Sequence, residues 1–330
     1  MLRSRTMETK MRLLVTGCAG FIGSHLVHRL LFDGHDVIGI DSFTEYYSRE
    51  LKERNNSWNI GNDSFTFIEG DLASVTADDL TEVDAIIHLA AQPGVRASWA
   101  KFDDYINENL LATHRLATSA GQAGVKRFVF ASSSSVYGDA HEYPTQEDTA
   151  TVPRSPYGVT KLAGESLLDA HAANFGLEVF ALRFFTVYGP GQRPDMAIQR
   201  LIRSAIDGNE FRLFGDGHQR RDFTFVGDIV DACVRSVTAQ SDGGITRLNI
   251  GGSGDISMND LISLVESTVG RSVNLSRHPA QVGDVFRTGA DGRQSSEKLG
   301  WKPSIRIEEG VERQVKFELE PAYATWRSAY

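Results

Sequence analysis

The feature that most constrains this chain is a glycine-spaced loop close to its N-terminus. Gly17, Gly20 and Gly23 follow a short apolar run directly and open a segment with helical periodicity. Glycine allows a positive-φ turn and a close backbone approach, and the N–H groups at a helix start attract a pyrophosphate. This strand-to-helix context predicts a βαβ unit that binds a dinucleotide, with Phe21 and Ile22 as further contacts. For the glycines alone, an ordinary strand-to-helix turn is the alternative.

Asp41 identifies the expected dinucleotide. It ends the second predicted strand, 18 positions after Gly23, and a carboxylate about 20 residues beyond the loop accepts the adenosine ribose hydroxyls of NAD. A 2′-phosphate would meet this negative charge, and the next residues, Ser42 and Phe43, include no arginine to neutralise it. NAD is therefore favoured over NADP as the cofactor.

The alternation of short β-branched runs with longer helical patterns, including one over about 105–123, continues up to Arg183. This rhythm predicts an α/β fold with a Rossmann-type, doubly wound parallel sheet. Beyond Arg183 the pattern is irregular, although a helical stretch over 228–237 returns to the first unit. We expect an NAD-binding domain over 11–184 plus about 223–250 and a smaller, interleaved C-terminal α/β substrate lobe over about 185–222 plus 251–330. Residues 1–10 are expected to be disordered.

Composition excludes several classes of function. A formal net charge of -9 and a pI near 5.5 argue against a nucleic-acid-binding surface. Cys18 and Cys233 are the only cysteines among 330 residues, too few for a disulfide scaffold or a zinc site, so no metal is expected. No segment reaches the roughly 18 consecutive apolar residues of a membrane span. We expect a soluble, cytoplasmic protein whose partner is a small molecule.

A tyrosine and a lysine supply the candidate chemistry. Tyr157 and Lys161 lie four positions apart at the start of the helical pattern over 156–175, so both side chains share one face. The Lys161 ammonium, together with the charged nicotinamide, would lower the pKa of the phenol from about 10 toward the operating pH. Tyr157 is thus the predicted general base. The same spacing occurs by chance on amphipathic helices, and the preceding dinucleotide loop favours the catalytic interpretation.

Several further segments carry a family resemblance. Residues 131–138 read Ala-Ser-Ser-Ser-Ser-Val-Tyr-Gly, and residues 88–91 read His-Leu-Ala-Ala. With these segments the sequence resembles the extended short-chain dehydrogenase/reductases, the NAD-dependent sugar epimerases and dehydratases, over nearly its whole length. The resemblance implies that Ser133 is the catalytic hydroxyl, and that Arg221 and Asp284 bind the substrate nucleotide. The cofactor contacts that it implies are Asp71, Leu72, Leu89, Ala90, Ala91 and Asn109.

The resemblance also bears on the reaction. Dehydratases of the family carry an Asp-Glu pair, and decarboxylases a Glu, where this chain has Ser134 and Ser135. Without an acid at this site, oxidation and re-reduction at one carbon is favoured. Residues 92–96 and 183–196 resemble UDP-glucuronate 4-epimerases in particular. The substrate contacts implied there are Gly94, Val95, Arg96, Ser133, Ser134, Ser135, Thr186 and Arg193.

The resulting hypothesis is a UDP-glucuronate 4-epimerase that forms UDP-galacturonate through a transient 4-keto sugar. The paired donors of Arg193 suit the substrate carboxylate, although this residue could instead bind phosphate or cap its loop. Rival anion ligands are Arg96, Arg212, Arg220 and Arg221. The alternatives are a UDP-glucose/UDP-galactose 4-epimerase, a UDP-glucuronate decarboxylase and a non-catalytic NAD-binding protein. By resemblance a homodimer is expected, through the helices near 109–121 and 156–175.

Overall fold

The computed structural model describes residues 9–279 and 285–320, so residues 1–8 of the stretch expected to be disordered lie outside it. In chain order the strands are β1 Arg12–Thr16, β2 Asp36–Asp41, β3 Phe65–Glu69, β4 Ala85–His88, β5 Arg127–Ser133, β6 Glu178–Phe184, β7 Thr186–Tyr188, β8 Phe211–Phe214, β9 Arg220–Phe225, β10 Ile245–Ile250, β11 Asp255–Ser257 and β12 Leu275–His278. The helices are α1 Phe21–Asp33, α2 Arg49–Asn56, α3 Phe102–Tyr105, α4 Ala112–Ala123, α5 Pro156–Phe175, α6 Ala197–Asp207, α7 Val226–Thr238, α8 Met258–Val269, α9 Arg293–Leu299 and α10 Ile307–Leu319.

Seven strands form the central sheet, in the order β10-β6-β5-β4-β1-β2-β3. Every neighbouring pair is parallel, and β4 is buried along its whole length. Such strands are covered on both faces, which explains their continuous apolar runs. Helix α1 packs against α7, and α4 packs against α5. The predicted doubly wound parallel α/β sheet is therefore confirmed.

The strand order changes direction at β1, which has β2 on one side and β4 on the other. In open parallel sheets, ligands bind beyond the carboxyl ends of the strands at such a switch point. Three stretches singled out in the sequence lie at this edge: the glycine loop after β1, residues 89–96 after β4, and Ser133 at the end of β5. The topology therefore brings them together.

Helix α5 has well-defined ends and lies close to the end of β5. The Ser155 side chain caps it by accepting the Gly158 N–H at 3.1 Å, and Pro156 begins the first turn. A Cβ on Gly158 would lie 2.5 Å from the Ser135 carbonyl oxygen, so only glycine allows this approach. The first turn of α5, which carries Tyr157, is thereby held against the turn that follows Ser133.

Two small sheets flank the central one, with strand orders β11-β9-β7 and β12-β8. Buried Asp222 on β9 ties the three-stranded sheet to neighbouring segments by accepting the N–H groups of Gly252 at 2.8 Å and Ala290 at 2.9 Å. Burial raises the pKa of Asp222 to about 6. Strands β7, β8, β11 and β12 lie in residues assigned by sequence to the substrate lobe, whereas β10 returns to the central sheet.

The helix expected over about 105–123 differs from the prediction. It is preceded by α3, which begins at Phe102, and the stretch Ile106–Leu111 is a π-helix that leads into α4. Buried Asn109 lies in this wider turn, which hydrophobic periodicity does not signal. The short helix α2 was also missed because its sequence is mostly polar. No helix within the described ranges is long and apolar enough to cross a membrane.

Candidate active site

The glycine loop brings backbone and helix start into close contact. Gly17 has a φ of 69°, and a Cβ there would lie 2.9 Å from the Ala90 nitrogen. A Cβ on Gly23 would lie 2.1 Å from the Gly17 carbonyl oxygen. Helix α1 begins at Phe21. Among the residues that the structure describes, no side chain caps this end, and its first turn has no acidic residue. Its N–H groups therefore face outward for an anion, and the loop fits the pyrophosphate of a dinucleotide.

Asp41 is buried at the end of β2, next to the glycine loop. Its Oδ2 accepts the Ala19 N–H at 3.1 Å, and its Oδ1 accepts the Phe43 N–H at 2.9 Å. Each carboxylate oxygen can accept a further hydrogen bond. The side chain is thus fixed in one orientation with capacity left for hydroxyl donors, which suits the predicted ribose contact.

The other predicted cofactor contacts lie along the same edge. Asp71 follows β3 and accepts the Ala73 N–H at 2.7 Å, and Leu72 beside it is buried. Ala90 donates its N–H to the Thr16 hydroxyl at 3.1 Å, and its neighbours Leu89 and Ala91 are partly buried.

A buried polar chain runs beneath this edge. His88 Nδ1 lies 2.7 Å from the Thr16 hydroxyl, and His88 Nε2 lies 2.9 Å from the Thr113 hydroxyl. The Thr113 hydroxyl donates to the Asn109 carbonyl at 2.6 Å, so it accepts from Nε2–H, and Nδ1 accepts from Thr16. Burial lowers the pKa of His88 to about 3, with a smaller effect from Lys161. The imidazole is therefore neutral. Thr16 and Thr113 were not predicted.

Asn109 fixes the segment that follows β4. Its side-chain oxygen accepts the Gln92 N–H at 2.6 Å, and its amide donates to the Gln92 carbonyl at 3.1 Å and to the Thr160 hydroxyl at 3.1 Å. The prediction made Asn109 a cofactor contact. In the structure its amide joins α5 to the segment that carries Gly94, Val95 and Arg96.

Tyr157 is the centre of the candidate site. Burial raises the pKa of its phenol, and this effect is opposed by a hydrogen bond with Ser133 and then by the positive charge of Arg193. Its ring packs edge-on against Tyr105 at 6.3 Å. Ser133 also accepts the Ser135 N–H at 3.1 Å. Two groups predicted as catalytic or carboxylate-binding, Ser133 and Arg193, therefore act on one phenol.

Lys161 lies on the same face of α5 as Tyr157. Its Nζ donates to the Ala131 carbonyl at 2.8 Å and lies 5.9 Å from the centre of the Tyr157 ring. Burial lowers the pKa of Lys161 to about 7. Ser133 and Arg193 lower the pKa of Tyr157 in this arrangement, and the Lys161 amine is held by the Ala131 carbonyl.

Arg193 forms an ion pair that sequence reasoning missed. Its Nε and Nη2 lie 3.0 Å from the two oxygens of Asp195, which also accepts the Tyr46 hydroxyl at 3.1 Å. The guanidinium lies 5.5 Å from the centre of the Tyr46 ring. Burial disfavours the cation, but the Asp195 carboxylate outweighs it and raises the pKa of Arg193. The spacing Arg-Pro-Asp was the only signal in the sequence.

The remaining predicted substrate contacts lie around this centre. Thr186 is partly buried at the start of β7, and Ser134 and Ser135 form the short 3-10 turn Ser134–Val136. Gly94 has a φ of 94°, and a Cβ there would lie 2.2 Å from the Tyr46 hydroxyl. The Val95 carbonyl accepts the Ser98 hydroxyl at 2.6 Å.

Two arginines and one aspartate complete the predicted set. Arg96 is exposed and lies 4.9 Å from the centre of the Phe214 ring. Arg221 donates to the carbonyls of Arg220 at 3.0 Å and Phe286 at 3.2 Å. Asp284 lies outside the described residues.

Arg200 was not predicted. Burial and then the nearby charges of Arg96 and Arg212 lower the pKa of its guanidinium. Three arginines thus lie close together on this side of the site, where Asp195 and the Glu210 partner of Arg212 offset part of their charge, and an anionic ligand would offset more of it.

Known proteins resemble this chain over most of its length. A sequence model of the NAD dependent epimerase/dehydratase family matches residues 13–251. The uncharacterized UDP-glucose epimerase YtcB of Bacillus subtilis (strain 168) is 41% identical over 315 residues, which cover 93% of this chain and 98% of the relative. The solved structure of MoeE5 in complex with UDP-glucuronic acid and NAD is 42% identical with a TM-score of 0.86, and the match covers 94% of this chain and 100% of that one. UDP-glucuronic acid 4-epimerase from Bacillus cereus, solved with UDP-glucuronic acid and NAD, is 37% identical with a TM-score of 0.88, covering 97% of this chain and 100% of that one.

Proposed function

Because the chain belongs to the NAD dependent epimerase/dehydratase family, we propose that it is a UDP-glucuronate 4-epimerase that interconverts UDP-glucuronate and UDP-galacturonate. The broader activity, an NAD-dependent nucleotide-sugar 4-epimerase, follows from the family and from the match to known epimerases. One observation carries the finer proposal. The guanidinium of Arg193 is close enough to the Tyr157 phenol for its charge to lower the pKa of that phenol.

The residues present fit NAD. The tight turn at Gly17, the uncapped start of α1 and the oriented Asp41 carboxylate suit the pyrophosphate and the adenosine ribose. When bound, NAD would supply a reversible hydride acceptor for C4 of the sugar, which allows that carbon to be reduced again from its other face. Turnover consumes nothing overall, and the substrate must turn within the site between the two transfers.

Proton transfer falls to Tyr157. As a phenolate it accepts the proton of the sugar O4, and as a phenol it gives that proton back when the 4-keto sugar is reduced. The hydrogen bond from Ser133 stabilises the phenolate. Lys161, held by the Ala131 carbonyl, places a titratable amine beneath the Tyr157 ring.

The serine turn argues against the related reactions. Dehydration and decarboxylation in the family use a carboxylic acid where Ser134 and Ser135 stand in this chain. Glu165 lies nearby in the fold but is fully buried, and it is committed to Arg183 at 2.8 Å and Arg247 at 3.1 Å. It is therefore no substitute for a proton-shuttling acid at the sugar.

For a glucuronate, the 4-keto sugar is a β-keto acid that loses CO₂ when its carboxylate bond aligns with the carbonyl π system. We assign Thr186 and Arg193 the role of holding the carboxylate out of that alignment, since a fixed orientation controls which bond can break. The cations Arg96, Arg200 and Arg212 are the proposed attraction for the substrate diphosphate.

Separate incubations of the purified protein with UDP-glucuronate and UDP-glucose, with products resolved by NMR, test the proposal. Formation of UDP-galacturonate is expected, with kcat/KM for UDP-glucuronate above that for UDP-glucose. Conversion of UDP-glucose alone would assign a UDP-glucose/UDP-galactose 4-epimerase, and UDP-pentose as the main product would assign a decarboxylase. A Tyr157→Phe variant with full turnover would refute the catalytic role of the phenol.

A cytoplasmic homodimer through α4 and α5 is also part of the proposal. An apolar groove runs along α5 beside Leu110 of the π-helix, and Val159 in its lining exposes 46% of its surface. Such an apolar face suits a second copy of the same surface. Sedimentation velocity is expected to give the mass of a dimer, and a monomer at micromolar concentration would contradict it. The lining of the groove is Leu110, Pro153, Val159, Leu162, Ala163, Ser166, Leu167 and Ala170.

A further inference from the structure

The Arg193–Asp195 ion pair is bidentate and well ordered by its neighbours. Isolated ion pairs at protein surfaces contribute little unless their geometry is bidentate or several groups join them. Here both oxygens of Asp195 are engaged by the guanidinium at 3.0 Å, and the Tyr46 hydroxyl adds a third hydrogen bond at 3.1 Å. The Arg193 side chain is only 20% exposed. The pair therefore holds a largely buried cation in one place.

The loop that carries the pair is itself fixed by buried Gln192. The Gln192 amide donates to the Val187 carbonyl at 2.9 Å, and its oxygen accepts the Gln199 N–H at 3.1 Å and the Gln314 amide at 2.9 Å. A turn closes from the Met196 N–H to the Arg193 carbonyl at 3.2 Å. The backbone of both charged residues is thus anchored to β7, α6 and α10.

The ion pair leaves one edge of the guanidinium available. Asp195 occupies Nε and Nη2, while Nη1 donates no hydrogen bond to any described residue. A guanidinium carries five N–H donors in a fixed fork, so a second carboxylate can bind across Nη1 and Nη2. The charge effect of Arg193 on Tyr157 indicates that this cation serves the site of proton transfer.

We infer that Asp195 is a positioning residue that fixes Arg193 and thereby sets the preference for a substrate carboxylate at C6. The inference rests on the proposed function and adds to it the residue that determines specificity. In this arrangement Asp195 binds Nε and Nη2 of the guanidinium, and the Tyr46 hydroxyl donates to Asp195. The edge formed by Nη1 and Nη2 receives the carboxylate of the sugar. An arginine held in advance loses little side-chain entropy on binding, so losing Asp195 weakens carboxylate binding by about tenfold.

Asp195→Ala and Asp195→Asn, with kcat, KM and calorimetric Kd measured for UDP-glucuronate and for UDP-glucose, test the inference. UDP-glucuronate binding is expected to weaken by about tenfold in Asp195→Ala and less in Asp195→Asn, while UDP-glucose binding changes by less than about threefold. Adding Arg193→Ala to Asp195→Ala is expected to cost no more than Arg193→Ala alone, because both act through one contact. Asp207→Ala removes one of the two carboxylate partners of Arg203 on α6 and is the matched control, expected to match the parent.

Equal losses for both substrates would mean a merely structural role and would overturn the inference. Tighter UDP-glucuronate binding in Asp195→Ala would overturn it too, because Asp195 would then act only by neutralising Arg193. Additive losses in the double variant contradict the shared contact. If the parent protein does not convert UDP-glucuronate, the proposed function fails. If the parent converts it but the variants keep the parent's ratio of UDP-glucuronate to UDP-glucose affinity, only the inference about Asp195 fails.

Discussion

Replacing Ser133 with alanine is expected to raise the pKa of Tyr157 and to move the pH profile of turnover to higher pH. The Ser133 hydroxyl lowers that pKa by hydrogen bonding to the phenol, against the opposing effect of burial. A hydrogen bond to a charged group contributes about 1.5–3 kcal/mol, which corresponds to about 10–100-fold in an equilibrium constant. Ser133→Ala therefore makes the ionisation of Tyr157 less favourable by about that factor.

The sign follows from the role of the phenolate. Turnover requires ionised Tyr157 to accept the O4 proton, so kcat rises with pH through the pKa of this residue. In Ser133→Ala the rise occurs at higher pH. Below both pKa values the variant is about 10–100-fold slower than the parent, and the difference shrinks as the pH increases.

The assay is kcat measured by NMR across the pH range in which the NAD-loaded protein stays folded, for the parent, Ser133→Ala and Ser133→Thr. Threonine keeps the hydroxyl and is expected to stay close to the parent profile. A Ser133→Ala profile that is lowered by the same factor at every pH would refute the reasoning. Ser133 would then act by holding the sugar rather than by stabilising the phenolate.

Three further predictions concern the carboxylate, the cofactor and the fold. Arg193→Ala is expected to lower kcat/KM for UDP-glucuronate by about 10–100-fold and to release more CO₂ and UDP-pentose per epimerisation event; an unchanged product ratio by NMR removes its proposed role. Gly23→Ala places a Cβ 2.1 Å from the Gly17 carbonyl, so NAD co-purifying with the protein, measured by absorbance after denaturation, is expected to fall by about tenfold or more. Glu165→Gln breaks a fully buried ion pair with Arg183 and is expected to lower the free energy of unfolding by about 3–5 kcal/mol. Asp169→Asn, which removes a half-exposed partner of Arg247, is the control expected to cost less than about 1 kcal/mol in urea unfolding.

The sequence predicted best what depends on local pattern. The parallel sheet follows from apolar runs that alternate with helical periodicity. The strand-to-helix turn follows from the spacing of its glycines, because a Cβ at Gly17 or Gly23 would collide with the backbone. Tyr157 lies in the first turn of α5, as its helical spacing indicates. These features require information only from neighbouring residues.

Contacts between distant loops could not be read from the pattern. Tyr46 and Asp195 are 149 positions apart and meet only because the segment after β2 and the loop after β7 converge in the fold. The direction of the Lys161 ammonium depends on the Ala131 carbonyl of a neighbouring strand. The amide of Asn109 binds backbone after β4, and its π-helix has no signature in hydrophobic periodicity.

The place of β10 in the central sheet affects how the protein can be made and divided. This strand, Ile245–Ile250, covers the outer edge of β6, although the 60 residues 185–244 separate them along the chain. A nascent chain that has just emerged past Phe184 carries an uncovered row of backbone donors and acceptors, which invites pairing with other chains. A fragment ending there is expected to aggregate, so the nucleotide-binding half is not a module that can be excised by a single cut.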